Sequence, residues 1–67
     1  MKTAFTYANK IYNAYYRVID ENQVFSEEEA GRIFREAIID NRGDVDKAKS
    51  QAELIHGNIE IYTIEIL

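Results

Sequence analysis

The chain lacks cysteine, proline and tryptophan, and its 67 residues include only three glycines, one methionine and one histidine. Without cysteine there is no disulfide, and a lone histidine is too little for a structural zinc site. A domain this short buries only about 60% of the surface that its unfolded chain exposes, so its stability margin is thin. We therefore expect a single domain, residues 1–67, that is supported by self-association or by a partner.

Long hydrophobic runs are also missing. The most apolar stretch, residues 59–67, is interrupted by Glu60, Thr63 and Glu65, and it has about half the length that spans a bilayer. No apolar segment of the secretory kind follows Met1. These features predict a protein without a membrane partner, and the absence of cysteine fits a cytoplasmic location.

The composition is that of a globular chain, with 46% hydrophobic and 30% charged residues. Its net charge of -4 is unevenly distributed. Residues 1–19 carry three basic residues and no acid, whereas residues 20–67 carry twelve acids against five bases, which gives +3 and -7. Such a division can steer a partner, but pairing within the fold is the simpler interpretation.

A helical wheel places the apolar residues of segment 4–19 on one side and predicts a first helix there. A strand over 14–19 is the alternative, because adjacent tyrosines beside Val18 and Ile19 favour extended backbone. The residues on the apolar side of the wheel are Ala4, Phe5, Ala8, Ile11, Tyr12, Tyr15, Val18 and Ile19.

Two further helices are predicted from capping signals. Ser26 and Glu29 have the spacing of a capping box, with Phe25 placed to contact Ala30, and a helix over 27–40 follows. Gly43 ends that segment and Asp44 caps a third helix over 45–56.

The segment 58–66 is β-branched and alternating, which predicts a strand. Its apolar face changes at Tyr62-Thr63, so either a bulge restores one face or both faces need cover. Because three helices leave this strand without a partner in the chain, we expect it to pair across a dimer or with another protein. The pairing residues are Ile59, Ile61, Tyr62, Ile64 and Ile66. The predicted fold class is α+β, mainly helical.

No residue pattern indicates catalysis or metal binding. A calcium loop beginning at Asp40 would need glycine and glutamate where Val45 and Gln51 stand. His56 has no second histidine or cysteine to complete a zinc site, and no nucleophile adjoins it in sequence. The three glycines are isolated, so there is no phosphate-binding loop. We expect no cofactor, no metal and no enzymatic activity.

The remaining hypothesis is a protein-interaction module, which we expect to be a homodimer. Tyr7 and Tyr16 lie at the edges of the apolar side of the first predicted helix, where tyrosine is a common interface anchor. The acidic side chains of Glu28, Glu36 and Asp40 point away from the stripe of the second helix. They are predicted to be exposed and to steer the chain toward a basic surface on another protein.

In general type the chain resembles small acidic accessory proteins of phages and mobile elements, including anti-CRISPR inhibitors of host defence. This resemblance implies inhibition of a defence protein or of a nucleic-acid-binding protein. The alternative is a small dimeric nucleic-acid-binding regulator that uses Lys10, Arg17 and the tyrosines of the first helix. The net charge of -4 makes nucleic acid the less favoured partner.

Overall fold

The computed structural model describes residues 1–20, 22 and 26–67. They form a three-stranded antiparallel sheet in the order β1-β2-β3, with two helices inserted between the second and third strands. Both helices lie against the same face of the sheet, where the buried residues of all five elements meet. The elements are β1 Lys2–Tyr7, β2 Lys10–Val18, α1 Glu27–Asp40, α2 Val45–Ile55 and β3 Ile59–Ile66.

The predicted first helix over 4–19 is wrong, because this segment forms the β1-β2 hairpin. Ala8 and Asn9 both have positive φ angles, 52° and 63°, as a two-residue hairpin turn of type I′ requires. The alternative strand over 14–19 agrees with β2, which ends at Val18. The fold is α+β as expected, but it is not mainly helical.

The helical wheel failed here because both faces of the hairpin carry apolar residues. Tyr12, Ala14 and Tyr16 alternate on the buried face of β2. Ile11 and Tyr15 lie on the opposite face of the same strand. Apolar residues on both faces conceal the period of two, and the combined set also fits a period of 3.6.

The other two helices are confirmed. α1 begins after Ser26, whose Oγ accepts a hydrogen bond from the Glu29 amide at 3.1 Å. α2 begins after Asp44, whose carboxylate accepts from the Lys47 amide at 3.1 Å. The predicted contact of Phe25 with Ala30 lies outside the described residues.

The strand predicted over 58–66 is present as β3, but it does not lack a partner in the chain. It pairs along its length with β2, from Val18 opposite Ile59 to Tyr12 opposite Ile66. The expectation that it pairs across a dimer or with another protein is therefore wrong. A register shift at Tyr62 adds one residue to β3, so the predicted bulge restores a common face for Ile59, Ile61 and Ile64.

The core is built from aromatic rings and small residues. The rings of Phe5 and Tyr12 stack at 5.2 Å between centroids, and Tyr16 meets Phe34 edge-on at the same distance. Buried alanines on both helices and on β2 let the helices approach the sheet and each other closely. They are Ala14, Ala30, Ala37, Ala48 and Ala52. Neither helix in the described part of the chain has the length and apolar content that a membrane span needs.

Candidate functional site

The face of the sheet that the helices leave uncovered is the most extensive candidate surface, and we call it the open face. Side chains of an antiparallel sheet alternate between its two faces, and directly paired residues share a face. The helices cover the face that holds Phe5, Tyr12 and Ile61. The open face carries Lys2, Ala4, Thr6, Ile11, Asn13, Tyr15, Arg17, Glu60, Tyr62, Thr63 and Glu65.

Three large apolar or aromatic side chains are distributed along the open face: Ile11 near the hairpin end of β2, Tyr15 in the middle of β2, and Tyr62 at the bulge of β3. Tyr15 stands opposite Thr63, and Ile11 opposite Thr6. Ile11 is 49% exposed and Tyr62 is 56% exposed. Tyr62 follows the buried Ile61 in β3 and is exposed, which places it on this face by the alternation of a strand. Its charge also contributes, after the hydrogen bonds and charge of Glu60, to the raised pKa of Arg17. Large side chains held on a rigid sheet and left in contact with water are typical of a binding surface.

The charges of the open face are largely neutralised within it. Arg17 and Glu60 face each other on β2 and β3, and the Nε and Nη2 atoms of Arg17 donate to Glu60 Oε2 at 3.0 and 2.8 Å. These hydrogen bonds, followed by the charge of Glu60, raise the pKa of Arg17. The Tyr15 hydroxyl donates to Glu65 Oε2 at 3.5 Å. The face therefore presents exposed apolar and aromatic side chains with paired charges among them.

The edge of β3 is occupied over its first half. The amide of Ile59 donates to the His56 carbonyl at 3.0 Å. The next outward amide, that of Ile61, donates to Glu53 Oε2 of α2 at 3.1 Å. The bulge at Tyr62 follows directly. Helix side chains and bulges at sheet edges hinder the addition of another strand.

The residues predicted to form the strand interface fall on both sides of the sheet. Ile59, Ile61 and Ile64 are buried under the helices and contribute to the core. Tyr62 and Ile66 are exposed. Ile66 stands opposite Tyr12 and therefore lies on the side of the sheet that faces the helices. Of the five residues, only Tyr62 lies on the open face.

The two predicted tyrosine anchors are in different environments. Tyr16 is 1% exposed and packs on Phe34, so it offers no surface to a partner. Burial, and to a lesser extent the charge of Glu27, raises the pKa of Tyr16. Tyr7 is half-buried beside the hairpin turn and packs against the core from its edge.

The three acidic residues of α1 are exposed, as predicted. Asp40 Oδ2 accepts a hydrogen bond from the Gln51 side chain at 3.1 Å, which links α1 to α2. Glu28 and Glu36 lie on the helical side of the molecule, away from the open face. Their role in steering a partner stays a prediction.

The aspartates of the segment examined as a calcium loop hold structural positions. Asp44 is used as a helix cap and Asp40 bonds to Gln51. Among the described residues, no group of three His, Cys, Asp or Glu side chains is placed to hold a metal ion.

The sequence did not indicate that Ile11, Tyr15, Arg17 and Glu60 share the open face. A usable signal was present, because Ile11 and Tyr15 are the apolar residues that interrupt the alternation of β2. The pairing of Arg17 with Glu60 joins residues 43 positions apart in the chain. No local pattern predicts such a pair.

Comparisons with protein-family models, with curated proteins and with solved structures find no match to this chain. Evidence for the function therefore comes from the residues of this chain alone.

Proposed function

We propose that the protein is a non-enzymatic interaction module that binds another protein through its open face. The observation that carries this proposal is the exposure of Ile11 and Tyr62 on a sheet face that no element of the described chain covers. Burying such side chains against a partner removes apolar surface from water and stabilises the complex. Tyrosine and arginine, both present here, are enriched in the energetically dominant parts of protein interfaces.

A protein partner fits the charges of this face better than a nucleic acid does. Binding to phosphates requires unpaired cations, but Arg17 is already paired with Glu60. Glu65 adds a negative charge beside Tyr15. The matching partner surface combines apolar area with charges of both signs.

A role as an inhibitor belongs to the same proposal. A small module that covers a functional surface of another protein inhibits it without any chemistry of its own. Inhibition of a host defence protein or of a nucleic-acid-binding protein by a phage or mobile-element accessory protein is one such case. The cytoplasmic location and a partner with a basic surface are further parts of this proposal.

The test is affinity capture from the native host, compared between two variants. Ile11→Ser combined with Tyr62→Ser removes the two large, strongly exposed hydrophobic side chains of the open face. The control is Leu54→Ser, because Leu54 is 86% exposed on α2 and lies off this face. We expect the double variant to lose affinity for the captured protein by about tenfold or more, and the control to retain it. Equal capture by all three proteins would exclude the open face as the binding surface.

A third variant separates the open face from the acidic side of α1. Reversing Glu28, Glu36 and Asp40 to lysine changes the net charge from -4 to +2, since each of three reversals adds two charges. With a partner bound at the open face, this variant changes the association rate and its salt dependence more than the dissociation rate. Complete loss of capture with this variant, and full capture with Ile11→Ser/Tyr62→Ser, would move the site to α1.

One observation supports a nucleic-acid-binding function as the second candidate. Tyr15 and Tyr62 stand on an antiparallel sheet with Lys2 and Arg17 beside them, and exposed aromatic residues on sheets stack on unpaired bases. Fluorescence anisotropy with a labelled single-stranded oligonucleotide tests it. Affinity that falls steeply with salt and is lost in Tyr62→Ser would favour this function over the first.

A further inference from the structure

A groove runs along the outer edge of β1, between this strand and α1. It encloses about 470 Å³ and is lined on one side by residues 3–6 of β1. The other side is formed by Glu27, Glu28, Gly31, Arg32 and Arg35. The groove does not include Ile11, Tyr15 or Tyr62 of the open face, although Ala4 and Thr6 border both.

The backbone of β1 presents unused hydrogen-bonding groups to this groove. Met1 and Tyr16 exchange both of their backbone hydrogen bonds, and such pairs alternate along an antiparallel ladder. From the register, Thr3 and Phe5 therefore bond to β2, whereas the amides of Ala4 and Thr6 point away from it. Among the described residues, none accepts a hydrogen bond from either of these two amides.

α1 approaches this edge closely without filling it. A Cβ atom at Gly31 would lie 3.0 Å from Thr3 Oγ1 and 3.7 Å from the Ala4 carbonyl oxygen. The glycine therefore lets the helix pack against β1 while no side chain at this position projects over the Ala4 carbonyl. The Thr3 hydroxyl donates to the Glu27 carbonyl at 2.8 Å and fixes this spacing.

The two ends of the groove carry opposite charges. Glu27 and Glu28 lie at the end near Thr3. Arg35 lies at the other end, where its Nε donates to the Thr6 carbonyl at 2.9 Å. Of the five N–H donors of a guanidinium, four remain for a carboxylate that enters the groove.

We propose that this groove binds an extended peptide segment of a partner protein, which adds to β1 as a fourth, antiparallel strand. Antiparallel addition continues the ladder of the sheet. Because β1 runs from Lys2 to Tyr7, such a peptide has its N-terminal end near Arg35 and its C-terminal end near Glu27. The charges select an acidic residue toward the N-terminus of the peptide and a basic residue toward its C-terminus. On the β1 edge Arg35 holds the Thr6 carbonyl, which leaves the amides of Ala4 and Thr6 to the peptide. The edge of β3 is the poorer site because its first two outward amides, those of Ile59 and Ile61, are both engaged and a bulge follows them.

The test uses a synthetic ten-residue peptide of alternating valine and threonine, with glutamates at its N-terminal end and lysines at its C-terminal end. Binding is followed by amide NMR of the full chain. We expect hydrogen exchange of the Ala4 and Thr6 amides to slow by about tenfold with saturating peptide. The amides of Ile64 and Ile66 on the other edge serve as the internal control.

A peptide with the charges interchanged should bind about fivefold more weakly, because both ends then meet like charges. Arg35→Glu should weaken the first peptide and strengthen the second, whereas Arg42→Glu, outside the groove, should do neither. No protection at Ala4 and Thr6, or equal binding of the two peptides, would overturn the proposal. Since no natural partner is used, the outcome is independent of whether the open face binds another protein.

Discussion

Ala8 is held in a backbone conformation that residues with a side chain rarely adopt. Its φ of 52° lies in the left-handed region, where a Cβ atom costs roughly 1–2 kcal/mol. Asn9, at 63°, suits this region better because asparagine tolerates it. The hairpin therefore forms although its first turn residue opposes it, since the pairing of β1 with β2 compensates.

We predict that Ala8→Gly stabilises the protein by about 0.5–1 kcal/mol, because glycine adopts positive φ without a steric penalty. Ala4→Gly is the matched control, since Ala4 is also exposed but stands within β1. There the same change should destabilise by about 0.5–1 kcal/mol. Urea unfolding of the two variants checks this, and equal effects would contradict the positive φ at Ala8.

The raised pKa of Tyr16 predicts that stability falls in alkaline solution. Below about pH 10 the phenol is neutral in both the folded and the unfolded chain, so its contribution is fully present. As the pH rises further, the unfolded chain ionises first, and the stability is lost as the pH passes through the raised pKa.

Urea unfolding between about pH 8 and about pH 11.5 measures this loss. We expect Tyr16→Phe to show a shallower decline with pH than the unaltered protein. Ser50→Ala, which removes no ionisable group from the exposed side of α2, provides the control and should retain the full decline. Identical slopes for all three proteins would contradict the assignment to Tyr16.

Each helix begins at a polar side chain that caps its first turn. We predict that Ser26→Ala costs about 1 kcal/mol of stability, because the Glu29 amide loses its acceptor. Ser50→Ala, at an exposed position within α2, should change stability by less than about 0.5 kcal/mol. Thermal unfolding of both variants gives the comparison, and a neutral Ser26→Ala would mean that the cap is not formed in solution.

Both edges of β3 are engaged, one by β2 and the other in part by α2. Pairing with β2 removes the unpaired edge that the sequence implied, and Glu53 occupies an amide on the other edge. The bulge at Tyr62 then sends Ile61 and Ile64 into the core while Tyr62 stays on the open face. One extra residue in β3 thus lets this strand contribute side chains to both the core and the candidate binding surface.

At the scale of the whole molecule, the protein has one small core that depends on few large side chains. Phe34 is 1% exposed and meets Tyr16 between the helices and the sheet. We predict that Phe34→Ala costs about 3–5 kcal/mol. This is most of the free energy of unfolding of a domain near the lower end of the typical range of about 5–15 kcal/mol, where a chain this short is expected. Circular dichroism at 37 °C should show a largely unfolded variant, whereas Tyr62→Ala should remain folded. If Phe34→Ala unfolds cooperatively at nearly the same temperature as the unaltered protein, the predicted contribution of Phe34 to stability is wrong.

The bounds of α1, α2 and β3 could be predicted from the sequence alone to within a residue or two. The bulge in β3 was one of two alternatives that the sequence left open. The reason is that these features depend on neighbours in the chain. Ser26 and Asp44 cap the turns that follow them, and the shift from odd to even apolar positions at Tyr62 is local.

Three features depend on tertiary contacts: the extended conformation of residues 2–18, the pairing of β3 with β2, and the position of the open face. Residues 4–19 fit a helical and an extended period about equally, and pairing with β3 favours the extended one. The contacts of Arg17 with Glu60 and of Arg35 with Thr6 join residues 43 and 29 positions apart. The free energy of such contacts arises when distant segments pack together, so it is absent from any local pattern.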